Sequence, residues 1–199
     1  MEEIRIYCEN DRRYHTFPMG TDLKTISDSI YPSASLAALV NNQLKELSFK
    51  IMTTNTVRFI DYDHPDGRRT YIRSLCFVLQ NVIREMYPEK VLVIDYSLPS
   101  GLYCEIREKE EMYDGRPKVY FVTDEELERI QARMKEIIDA DLPFEKTKQT
   151  LEDTVKLFEA NGQKEKVNLA RSLGRITYSV YYLDGQADTF YGPLTPSTG

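Results

Sequence analysis

Few side chains in this 199-residue sequence can do chemistry, and their types limit it sharply. There are two histidines, His15 and His64, so no site can use three imidazoles. The three cysteines, Cys8, Cys76 and Cys104, are too scattered and odd in number for a disulfide framework. A reduced, cytoplasmic setting follows. Cys104 in GLYCEI would need a neighbouring base and a lowered pKa to be a nucleophile, and no motif histidine adjoins it. A structural cysteine is the simpler reading there, and for Cys76 also. Arg73 follows Arg68, Arg69 and Tyr71 at a helix start. That cluster suits either a phosphate or RNA contact or a solvated, charged helix end. Asp95, Ser97 and Glu105 stand on strand candidates, where they bind a small polar ligand or satisfy strand ends. The final stretch, DTFYGPLTPSTG, places Phe190, Tyr191 and Leu194 around a Gly-Pro turn. Large apolar groups there either fill a pocket or offer Phe190 and Tyr191 to stack on a base.

Positioning these residues requires two units. In the first, EIRIYC at 3–8 alternates as a strand, NDRR turns, and RYHTFP returns. Thr21 is expected to cap a helix over DLKTISDSIY. Asn41-Asn42 marks a turn, and TVRFIDY at 56–62 closes the unit. A hairpin, a helix and further strands in this order make a β-grasp domain. Residues 63–69, DHPDGRR, read as a linker. The second unit, 70–199, opens with a helix carrying Leu75, Val78, Leu79, Val82, Ile83 and Met86 at helical spacing. Strands KVLVIDYSL and GLYCEI follow. Thr123 and Glu126 form a capping box for a helix with Leu127, Ile130, Met134 and Ile137 as its inner stripe. A strand within LPFEKTKQ, a helix from Thr150 to Gly162, a short helix over EKVNLARSLG, and two strands about the Asp184-Gly185 turn complete an α+β fold.

The formal net charge of −6 argues against a general nucleic-acid binder, though not against a local basic patch. No apolar run is long enough to span a bilayer, so no membrane partner is expected.

These residues carry a resemblance. GTDLKTISDSIY, the VNNQLKEL turn and VRFID look like a TGS domain, the β-grasp unit at the front of threonyl-tRNA synthetases and some GTPases. RSLCFVLQNVIREMYP, GLYCEI, TDEELERIQARMKEIIDADLPFEK, TLEDTVKLF and DTFYGPLTPSTG resemble the synthetase's second additional domain, which hydrolyses mischarged seryl-tRNA. The resemblance covers nearly the whole chain and implies a fragment of a longer polypeptide. It also implies that Asp95, Ser97 and Glu105 lie on strands lining the editing pocket. In that family the helix carries His-x-x-x-His and the loop Cys-x-x-x-His, a metal-type constellation. Here the helix pair falls on Arg73 and Phe77, and the loop pair on Phe190 and Leu194. None of the four is a metal ligand or a base. The resemblance therefore implies the editing fold without its reaction: a degenerate site, no catalytic residue and no metal. Arg73, Asp95, Ser97, Glu105 and Tyr191 remain as candidates for binding RNA or a small polar ligand.

The same pair of domains resembles the N-terminal half of bacterial uridine kinase-like (nucleoside kinase) proteins. That resemblance implies an accessory or regulatory module whose partner is an intramolecular P-loop kinase domain beyond Gly199. ATP and Mg would belong to that kinase, because Gly-x-x-x-x-Gly-Lys-Ser/Thr does not occur here. The alternative is a diverged aminoacyl-tRNA editing hydrolase, or a tRNA-binding fragment of a threonyl-tRNA synthetase-like protein.

Overall fold

A computed structural model describes residues 2–31, 34–99, 101–113 and 115–199. It is a mixed α+β structure with three sheets. Two compact units divide it: residues 1–74 with 143–197, and residues 75–142 with 198–199. The division differs from the linear boundary drawn from sequence, since the second half of the chain contributes to both units.

In the first unit, β1 (Glu3–Cys8), β2 (Arg13–Pro18), β3 (Ala37–Val40), β4 (Gln43–Lys45) and β5 (Asn55–Ile60) form one sheet in the order β2-β1-β5-β3-β4. β1 and β5 run parallel at its centre, and the other neighbours are antiparallel. Alternation along β1 sends Ile4, Ile6 and Cys8 inward, where they meet Leu23 and Ile26 of α1 (Leu23–Ile30) and Val57 and Phe59 of β5. Each large apolar side chain buried there contributes about 1.5–3 kcal/mol. Asn41 and Asn42 both take positive φ, as a two-residue hairpin turn between β3 and β4 demands. The cap of α1 is Asp22, not the expected Thr21. Its carboxylate accepts the Thr25 N–H at 2.8 Å, while the Thr21 hydroxyl donates back to the Pro18 carbonyl.

The same unit holds β9 (Glu145–Thr150), α4 (Leu151–Ala160), α5 (Lys164–Leu173), β10 (Thr177–Leu183) and β11 (Gln186–Asp188). Their sheet runs β11-β10-β9, and Val155, Phe158, Val167, Ala170 and Tyr178 make its core. Glu46, just past β4, ties the two sheets: it accepts from Lys146 at 2.6 Å and from the Tyr181 hydroxyl at 3.0 Å.

Helix α2 (Pro65–Met86) begins inside the segment expected as a linker. Proline suits a first helical position, where its missing N–H costs nothing. Gly67 permits the tight turn into the helix, because a Cβ there would sit 1.8 Å from the Asp61 carbonyl oxygen. The sequence signal was misread because Pro and Gly serve both loops and helix starts.

In the second unit, β6 (Lys90–Leu98), β7 (Gly101–Tyr113) and β8 (Arg116–Tyr120) form an antiparallel sheet, with α3 (Asp124–Asp139) following. The capping box of Thr123 and Glu126 is present. Ile130 and Ile137 are buried, but Leu127 of the expected stripe is exposed. Spacing fixes which residues share a face, not where along the helix its cover begins. No described helix is long and apolar enough to cross a membrane.

Candidate ligand-binding site

The loop after β11 is fastened to the first half of α2 by two contacts. Arg73 donates from Nη1 to the Pro193 carbonyl at 2.6 Å. Its guanidinium lies flat against Gly192, where a Cβ would come within 3.0 Å of Cζ and Nη1. One residue on, the Ser74 hydroxyl accepts the Thr195 N–H at 2.8 Å and donates to the Thr70 carbonyl. Gly192 has φ of 119°, so glycine is required there twice over, by conformation and by the guanidinium. Arg73 is thus a strut between helix and loop rather than an open anion receptor.

Leu194, on this loop, is 2% exposed. Phe190 meets Tyr181 edge to face with ring centroids 6.0 Å apart. Phe77, one turn along α2 from Arg73, is 0% exposed. The four positions matched to the editing constellation are therefore packed or engaged, and none offers a lone pair for a metal or a proton. Among the described residues no cluster of three His, Cys, Asp or Glu side chains could hold a metal ion. The histidines serve locally: His15 Nε2 pairs with Asp11 at 2.8 Å, and His64 Nδ1 accepts the Asp66 N–H at the start of α2.

Asp95, Ser97 and Glu105 belong to the β6–β7 hairpin of the second unit, whereas Arg73 and Tyr191 belong to the first. Asp95 stands where the register shifts, between Ile94 and Tyr96. Asp95 and Ser97 are exposed. Glu105 is held by Arg107 at 2.8 Å and by the Tyr103 hydroxyl at 2.9 Å, and these bonds lower its pKa. A carboxylate kept ionised this way is a poor proton donor at neutral pH. Burial raises the pKa of Cys104, which makes its thiol less nucleophilic.

Beside the loop, the first unit contains a cavity of about 380 Å³. Leu169, Ala170 and Leu173 of α5, Tyr178 of β10, and Phe190 and Tyr191 line much of it. Lys166 and Arg175 supply its cations. Lys166 pairs with Asp188, whose carboxylate is 0% exposed and also accepts the Thr189 N–H. Sequence reading singled out Tyr191 but missed Lys166 and Arg175. An α5 lysine and a loop arginine resemble any solvated charge until the fold brings them to one cavity.

No protein-family profile matches the chain. Curated relatives do. The chain is 29% identical over 177 residues to "Threonine--tRNA ligase" of Carboxydothermus hydrogenoformans, covering 88% of this chain and 26% of that protein. The same enzyme name belongs to relatives from Acetivibrio thermocellus (28% over 184 residues, 90% of this chain, 27% of the relative) and Acidithiobacillus ferrooxidans (28% over 200 residues, 100% and 30%). The chain is threonyl-tRNA synthetase-like. It spans about a quarter to a third of the length of these relatives. The synthetase half of the resemblance is supported over most of the chain, whereas the kinase half draws no support from these relatives.

Proposed function

We propose that this synthetase-like chain is a tRNA-binding module, a TGS-like β-grasp domain joined to an editing-like domain that has lost ester hydrolysis. The alternative reading of the sequence thereby replaces the kinase-accessory reading as the main one. The carrying observation is the Arg73 strut. A guanidinium that is always protonated occupies the first of the four family positions and bonds the loop that would supply two others. Hydrolysis of a seryl ester needs an activated water and a group to take its proton, and Arg73, Phe77, Phe190 and Leu194 provide neither. What remains is the capacity to hold an RNA end without cutting its ester. RNA, rather than ATP with Mg, is the expected partner of this chain; ATP and Mg would enter only with a P-loop encoded beyond Gly199.

Fluorescence anisotropy with a threonine tRNA transcript tests the reading. Saturable binding that weakens steeply with added salt is expected, because phosphate contacts release counterions. Binding no tighter than that of an unrelated acidic protein would overturn it.

A further inference from the structure

The cavity beside β10 has features that tRNA binding does not account for, and they select a different ligand. Its volume of about 380 Å³ lies in the range of small-molecule sites. Most of its wall is apolar, from Leu169, Ala170, Leu173, Phe190 and Tyr178. Around it large apolar groups stand in water: Tyr191 is 66% exposed, Ile176 next to Arg175 is 88% exposed, and Leu169 and Leu173 are half-exposed one turn apart on α5. Such a concentration around one opening marks a surface that something covers.

The charges discriminate further. Lys166 is neutralised by the buried Asp188. Arg175 pairs with no carboxylate among the described residues; its guanidinium sits over the Tyr191 ring, 5.7 Å from the centroid. Its backbone is fixed, since the Arg175 N–H donates to the Tyr178 hydroxyl, which in turn donates to the Ala170 carbonyl at 2.6 Å. A guanidinium therefore stands at an apolar cavity, over an aromatic ring.

We propose that this cavity binds a small carboxylate with an aromatic or branched aliphatic body. The body enters between α5 and Phe190, and the carboxylate takes two N–H bonds from Arg175. The proposal is independent of tRNA binding.

The test is a titration of the ¹⁵N-labelled chain with 3-phenylpropionate and, separately, with its neutral amide, followed by backbone NMR. Shifts confined to α5, residues 175–179 and residues 189–192 are expected with the acid, with the amide at least about tenfold weaker. Arg175→Gln should reduce acid binding to the level of the amide. Leu173→Asp, an exposed change that sets a competing carboxylate beside Arg175, should do the same without unfolding the chain. Equal binding of acid and amide, scattered shifts, or no shifts at these positions would overturn the proposal.

Discussion

Arg73 fastens the loop after β11 to α2. Its bond to the Pro193 carbonyl is charge-assisted, so truncation should cost about 1.5–3 kcal/mol of stability. Arg73→Met, which keeps the aliphatic stem, is expected to lower the unfolding free energy measured in urea by that amount; an unchanged free energy would mean that the strut does not fasten the loop. Gly67 makes a second residue-scale case. Gly67→Ala forces a Cβ onto the Asp61 backbone at 1.8 Å, where no flexible side chain can yield. A loss of more than about 2 kcal/mol in chemical denaturation is expected, against the gain that alanine normally brings to a helix. The resemblance implies that four polar positions are replaced in this sequence. It did not reveal that Arg73 had gained a new partner, because a contact between residues 120 apart leaves no local pattern.

At the scale of elements, the start of α3 carries the clearest pH dependence. The Glu126 carboxylate accepts the Thr123 N–H at 3.0 Å and the hydroxyls of Thr123, Tyr120 and Tyr87. The Thr123 backbone bond leads the causes that pull its pKa from 4.5 to about 2. A depressed carboxylate stabilises the fold fully above its unfolded pKa, and that contribution is lost as pH falls through the folded value. Wild-type stability should therefore decline between about pH 4.5 and 2, and Glu126→Gln should flatten that part of the curve. Parallel acid curves for the two proteins would contradict the assignment. Thr123 and Glu126 were legible as a capping box, since that motif is local. Tyr87 and Tyr120 were not, because they reach Glu126 from the residue after α2 and from β8. Likewise Thr21 and Asp22 are both good caps by type, and only the backbone geometry chooses between them.

At the scale of the whole molecule, the β1–β5 sheet and the β9–β11 sheet belong to one compact unit. Glu46, Lys146 and Tyr181 join them, and burial followed by the nearby Glu46 carboxylate raises the pKa of Tyr181. Tyr181→Phe removes a hydrogen bond to a carboxylate and should cost about 1.5–3 kcal/mol. Amides in β1 and β10 should also lose protection together in hydrogen exchange; independent opening of the two sheets would refute their coupling. Period-two and helical spacing exposed most elements but not β8 or the second half of β7, and the division into units was hidden because 143–197 returns to the first unit. On the proposed function, this synthetase-like chain lacks editing chemistry. The most direct measurement is hydrolysis of seryl-tRNA charged on a threonine tRNA, with the ester in excess over the chain. Loss of the ester at the uncatalysed rate is predicted, whereas multiple turnovers abolished by Glu105→Gln would contradict the account and establish a diverged hydrolase.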